Sequence, residues 1–212
     1  MSKITQKQAL SMSKRCFQFI SRKIVIKILE WLMLKKIYLI RHCEAEGQSP
    51  ESQLTDRGIE QADELSDFFC NSSIDRIISS PYKRAMDSIS PLAKRMNIDV
   101  EINRNLTERI LSTKNLPDWF EKLKRTFNDI EWKYEGGESS QEAMKRIVEV
   151  VEEVFSRNHN NTVIVTHGNL MSLLLMYYNK DFGFNDWNDL SNPDVFVLIN
   201  NSNQVTFKRI WK

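Results

Sequence analysis

Apolar positions along the chain fall into two patterns, short unbroken runs and longer stretches with helical spacing, and the two alternate. Ile37–Ile40, Ile74–Ser79, Ile98–Ile102 and Thr162–Thr166 are short runs rich in β-branched residues, the signature of buried strands. Between them lie helical stripes. Ile59, Ala62, Leu65, Phe68 and Phe69 form one, preceded by Thr55 as an N-cap with Asp56 in the first turn. Ala85, Ile89, Leu92, Ala93 and Met96 form a second, with Pro81 at its start. Leu116 to Ile130 is helical and aromatic-rich and ends at Glu135-Gly136-Gly137-Glu138-Ser139; Ser140 to Phe155 and Leu170 to Tyr177 continue the series. Val195–Asn200 and Val205–Ile210 read as two strands of a hairpin joined by Asn201-Ser202-Asn203. Strand–helix alternation of this kind predicts a three-layer α/β/α sandwich on a mostly parallel central sheet, with an antiparallel C-terminal hairpin.

The first 35 residues do not share this pattern. Phe17, Ile20, Ile24, Ile28, Trp31 and Leu32 follow helical spacing among Arg22, Lys23, Lys27 and Glu30, which predicts a basic amphipathic helix. Its longest apolar run, Trp31 to Leu34, is far short of the roughly 20 residues needed to span a bilayer. Three readings stand for this 1–35 extension: an addition to a chain whose own start is Met33, a helix docked on the body, or an interfacial helix making weak contact with a membrane surface. The domain that carries chemistry is expected over 36–212.

Charge sharpens the division. The overall net charge of +2 hides nine Lys or Arg against one acid in residues 1–36, and 21 basic against 27 acidic residues in the rest. A mildly acidic body argues against general nucleic-acid binding, so basic residues should matter where they converge. The three cysteines, Cys16, Cys43 and Cys70, form neither a pair nor a zinc-spaced cluster, which points to a reducing, cytoplasmic setting and no metal.

The chemistry is expected at the strand ends. The first strand runs into Arg41-His42, the second leads to Arg84 one helical turn on, the fourth runs into His167, and Glu108 lies in the loop after the third. In open α/β sheets the carboxyl ends of the strands are where ligands bind. A cation beside an imidazole there suits an anion, phosphate above all. One polar strand end has a bland explanation, a strand running out into solvent; four in the same topological position do not.

These segments, in this order, resemble the histidine phosphatase superfamily, the phosphoglycerate mutase-like family. Arg41-His42 is similar to its Arg-His-Gly signature, and Leu54-Thr55-Asp56-Arg57-Gly58 to the segment before its first helix. Ser79-Ser80-Pro81 with Arg84, Leu106-Thr107-Glu108-Arg109, Gly136-Gly137-Glu138-Ser139 and Val165-Thr166-His167-Gly168 complete the set over about 36–170. The resemblance implies a metal-independent phosphomonoester hydrolase without cofactor. His42 would be the nucleophile, forming a phosphohistidine. Arg41, Arg84 and His167 would hold the phosphoryl oxygens, the Gly168 amide would add a donor, and Glu108 would act as general acid and base. Cys43 stands where the family has glycine and Gln48 where many members have asparagine; both read as tuning substrate fit, with the Gln48 amide still able to reach the phosphate. A small phosphorylated substrate is the implied partner. The bland reading of Glu108 is a loop acid paired with Arg109, and that of His167 a buried structural histidine.

Rival chemistries are weaker. A cysteine phosphatase needs an arginine six residues after its cysteine, and Ser49 stands six after Cys43. Mutases of the family follow the acid motif with a His-Tyr-Gly segment, where this chain has Ile110-Leu111-Ser112-Thr113-Lys114. A non-catalytic phospho-ligand module would be expected to lack the nucleophile or an arginine, and all are present. The aromatics Trp119, Phe120, Trp132 and Tyr134 in the 109–135 segment read as lid core rather than as a ligand box.

Overall fold

The computed structural model describes residues 34–201 and 204–211. The basic helix expected near the N-terminus falls outside them. Among the described residues there are six strands: β1 Lys35–Arg41, β2 Arg76–Ser79, β3 Val100–Ile102, β4 Asn161–Thr166, β5 Asp194–Asn200 and β6 Val205–Arg209. Among the described residues the helices are α1 Asp56–Phe68, α2 Lys83–Met96, α3 Trp119–Asn128, α4 Ser140–Ser156, α5 Gly168–Tyr178 and the short α6 Phe184–Asn188, with a 3₁₀ turn at Arg104–Leu106. No described helix is long and apolar enough to cross a membrane.

The strands form one sheet in the order β3-β2-β4-β1-β5-β6. β3, β2, β4 and β1 run parallel, while β5 and β6 run antiparallel at the far side. Alternation along each strand divides the core in two. Ile37, Leu39, Ile78, Ile164, Phe196 and Leu198 face α4 and α5, meeting Ile147, Val151, Leu170 and Leu174. Ile40, Ile77, Val163, Val165 and Val195 face α1 and α2, meeting Leu65, Phe69, Ile89 and Leu92. These are three layers, as the pattern of apolar residues requires. Each such aliphatic side chain contributes roughly 1.5–3 kcal/mol on burial.

The helix starts follow local chemistry. Thr55 caps α1, its hydroxyl oxygen accepting from the Gly58 amide at 2.9 Å. Gly58 itself is required there, because a Cβ would lie 2.0 Å from the carbonyl oxygen of Glu44. Ser139 and Glu142 form a reciprocal capping box at α4. Register then does the positioning. Arg41 pairs with Thr166 and Ser79 with Val165, so β1, β2 and β4 end at one level. The ladder extends one step past the strands, with the His42 amide donating to Thr166 and the Ser80 amide to Val165, each at 3.0 Å. Arg41, His42, Ser80 and His167 therefore stand side by side on the carboxyl rim.

Candidate active site

His42 is nearly buried and its two ring nitrogens have different partners. Nδ1 lies 2.6 Å from the Cys43 carbonyl oxygen, which can only accept, so Nδ1 carries the proton. Nε2 keeps its lone pair and accepts from Nε of Arg84 at 3.1 Å. Burial, then the nearby guanidinium groups of Arg84 and Arg41, lowers the His42 pKa to about 3 despite the opposing carbonyl bond. The imidazole is thus neutral at physiological pH, with its lone pair on Nε2.

Arg84 is fully buried in the first turn of α2. Its Nη1 donates to the carbonyls of Gln48 (3.2 Å) and Ser49 (2.8 Å), and its guanidinium lies 4.9 Å over the Tyr82 ring. Nη2 is buried with no partner. Arg41 donates through Nη1 to the carbonyls of Leu190 and Ser191, and its Nε is likewise unpartnered. Gly168 allows this position, since a Cβ there would come 3.0 Å from Nε of Arg41. His167 packs edge-on to His42 with ring centroids 5.1 Å apart; its Nε2 meets the Ser80 hydroxyl at 2.8 Å and its Nδ1 has no partner.

Glu108 arrives from furthest away in the sheet. After β3 the chain turns through Arg104–Leu106, and the Thr166 hydroxyl donates to the Leu106 carbonyl at 2.8 Å, drawing the loop back over the end of β4. The half-buried Glu108 carboxylate then sits on the N-terminus of α5. Oε1 accepts from the amides of Leu170 (3.0 Å) and Arg109 (2.9 Å), and Oε2 from that of Asn169 (3.1 Å). It is a helix cap, with Oε2 the less occupied oxygen. The side-chain pairing of Glu108 with Arg109 does not form. Arg109 turns inward to the Glu138 carbonyl and the hydroxyls of Thr126 and Ser140, tying α3 and α4 to the loop. Burial lowers its pKa to about 10, so it remains a cation.

Gln48 meets Arg84 through its main-chain carbonyl, and the residue as a whole is exposed. The aromatics of the 109–135 segment are only partly core: Trp119, Phe120 and Trp132 are exposed, Trp132 stacked 3.7 Å under the Arg125 guanidinium and Phe120 edge-on against Phe184 of α6.

Several participants carried no sequence signal of their own. Ser88 accepts from the Cys43 amide and donates to the Arg84 carbonyl, locking the turn after β1 to α2. Asn192 donates to the His42 carbonyl at 2.7 Å from a segment 150 residues away. Asn169, almost completely buried, has both amide atoms unpartnered. Cys43 is fully buried and burial raises its thiol pKa to about 12, so no thiolate competes with His42.

A family model for the histidine phosphatase superfamily (branch 1) matches residues 37–210, all of the sheet but the first two residues of β1. The chain belongs to the histidine phosphatase superfamily. Phosphoserine phosphatase 1 of Hydrogenobacter thermophilus is 28% identical over 145 residues, 61% of this chain and 69% of that protein. The mycobacterial glucosyl-3-phosphoglycerate phosphatase superposes with a TM-score of 0.69 at 20% identity, covering 84% of this chain and 98% of the other. A phosphoglycerate mutase from Bacillus anthracis superposes with a TM-score of 0.67 at 15% identity, covering 84% and 92%. Both superpositions show the fold; because it is shared by phosphatases and mutases, the division between hydrolysis and transfer has to come from the site of this histidine phosphatase itself.

Proposed function

We propose that this histidine phosphatase hydrolyses small phosphomonoesters through a phosphohistidine on Nε2 of His42. One observation carries the reading: of nine buried side-chain polar atoms without a partner among the described residues, three are nitrogens of Arg41, Arg84 and His167, the side chains about His42. Buried donors without acceptors are costly, and a cluster of them around one nucleophilic nitrogen fits a bound oxyanion.

Nε2 of His42 attacks phosphorus in line with the leaving oxygen, and the P–O bond breaks as the N–P bond forms. Arg84 moves its Nε–H from the lone pair of His42 to a phosphoryl oxygen, which frees the nucleophile only when substrate is present. Arg41, Arg84, His167 and the Gly168 amide hold the three phosphoryl oxygens, supplying the positive charge from side chains. Glu108 gives its proton to the leaving alkoxide. The Nδ1–H bond to the Cys43 carbonyl steadies the cationic phosphohistidine. Glu108, now a carboxylate, takes a proton from water as the water attacks phosphorus, restoring the acid and releasing phosphate from His42.

The test is phosphate release from phosphoserine and other phosphomonoesters in excess chelator, with labelled substrate quenched during turnover. A base-stable, acid-labile adduct on His42 is expected, with nearly all turnover lost in His42→Ala. Cys43→Ser should stay within about tenfold, on the order of 1.4 kcal/mol of barrier. Phosphoryl transfer between substrate positions faster than phosphate release would make the chain a mutase. A dead Cys43→Ser beside an active His42→Ala would place the nucleophile wrongly.

A further inference from the structure

The two active-site histidines are both buried and their rings are neighbours, yet phosphoryl transfer needs opposite things from them. His42 must offer a lone pair, and His167 must offer a proton. In a neutral imidazole that difference is a matter of tautomer, set by what the other ring nitrogen touches. For His42 the Cys43 carbonyl decides it. For His167 the deciding contact is the Ser80 hydroxyl, 2.8 Å from Nε2.

A hydroxyl can donate or accept, so its own partners have to be followed. Ser80 is fully buried at the end of β2, and its oxygen already accepts from the Tyr82 amide at 3.3 Å. If Nε2–H of His167 also donated to it, the Ser80 proton would be buried with no acceptor. Nδ1 would then present a lone pair to the anion site. If Ser80 donates to Nε2, every group on its side of the ring is satisfied, and the proton sits on Nδ1. That nitrogen is buried, free of any protein partner, and belongs to the cluster of unpartnered atoms around His42. Protonation of both nitrogens is not a way out. Burial first, then His42 and the guanidinium groups of Arg84, Arg146 and Arg41, pushes the pKa of His167 well below its ordinary value. The ring stays neutral, so only one nitrogen carries a proton.

We propose that Ser80 is a positioning residue: its hydroxyl donates to Nε2 of His167 and thereby fixes Nδ1–H as the donor to the phosphoryl oxygen. Two neutral histidines with the same tautomer, Nδ1–H, then present opposite faces to the substrate, a lone pair from His42 and a proton from His167. The inference rests on the phosphatase reading for its functional meaning, while the tautomer itself is independent of turnover.

The full chain holds three histidines, His42, His159 and His167, so ¹⁵N-histidine labelling gives a spectrum that single replacements can assign. The expected wild-type signature for His167 is a pyridine-type Nε2 and a pyrrole-type Nδ1. In Ser80→Ala the two forms should mix, kcat should fall by about 10–100-fold, and KM should move far less, since the lost donor acts on developing charge. Ser80→Thr, which keeps the hydroxyl, should stay nearer wild type in both readouts. A wild-type His167 with its proton on Nε2 would overturn the assignment without any variant, and so would a Ser80→Ala protein with unchanged tautomer and kcat. A wild-type chain that releases no phosphate would instead sink the proposed activity and leave the spectrum to decide the tautomer.

Discussion

In the mechanism we propose, Glu108 has two jobs that pull on the same carboxylate. As a cap it holds three amides at the start of α5 and in its own loop; as an acid it must place a proton on the oxygen facing the leaving group. Glu108→Gln largely separates them, because the amide oxygen still accepts from Leu170 and Arg109, although the Asn169 bond is lost, while no transferable proton remains. For an alkyl phosphate kcat should fall by about 10²–10⁴-fold. For an aryl phosphate whose leaving group needs no proton the loss should be much smaller, and the unfolding midpoint should fall only by the one lost amide bond. Equal losses on both substrates would make Glu108 a cap alone. Glu108→Ala should lose the cap too, at an additional cost of about 1 kcal/mol in stability. The motif around Glu108 was legible in the sequence, but its attachment to α5 was not. Nothing local to Leu106-Thr107-Glu108 says which helix its loop will cap.

Among the elements, the 188–194 segment between α6 and β5 supports Arg41 and His42 from behind. Its carbonyls at Leu190 and Ser191 accept from Arg41, and its Asn192 holds the His42 carbonyl. Asp194, fully buried, fixes this segment by accepting from the Ser191 amide and from Nε of Arg209 on β6, with Nη2 of Arg209 as a second donor. The antiparallel hairpin thus holds this segment through the Asp194–Arg209 ion pair, with Arg209 also donating to the Asp189 carbonyl and the Ser191 hydroxyl. Asp194→Asn keeps the shape and removes the charge. It should cost roughly 1–3 kcal/mol of stability, less than a fully buried pair because Arg209 is partly exposed. Loosening of Arg41 should also lower kcat about tenfold. Urea unfolding and steady-state kinetics on one preparation would check both. Loss of stability with kcat unchanged would show that the segment supports the fold and not the site.

For the whole molecule, the price of the site is two histidines kept neutral in the interior. In the unfolded chain each takes up a proton near pH 6.5, whereas folded His42 does so only near 3 and folded His167 well below its ordinary range. Between those limits the unfolded state binds more protons, so stability rises with pH and is lost as pH falls below about 6.5. Each histidine contributes a slope of up to about 1.4 kcal/mol per pH unit in that window. Urea midpoints at about pH 7 and about pH 5, where most carboxylates remain charged, should differ accordingly. The difference should shrink in His42→Gln and in His167→Gln. A wild-type stability that is flat over that range would mean the two rings charge freely in the folded state.

What the sequence determined by itself is what is local. Strand and helix periods, the Thr55 and Ser139 caps, and the polar residues that end each strand depend on neighbours within about four positions along the chain. Those were enough to foresee three layers, the antiparallel hairpin and a rim carrying Arg41, His42, Arg84 and His167. Register decided the rest. Pairing Arg41 with Thr166 sets His42 beside His167, and pairing Ser79 with Val165 brings up Ser80. The loop drawn over β4 carries Glu108 to α5, and the return of the chain through Asn192 and Asp194 closes the site from behind. The Gln48 carbonyl accepts from Arg84 for the same reason, since a buried guanidinium takes whichever oxygen the packed loop presents. Contacts between residues far apart in sequence leave no period to read. They exist only once the sheet has fixed which strand ends are neighbours.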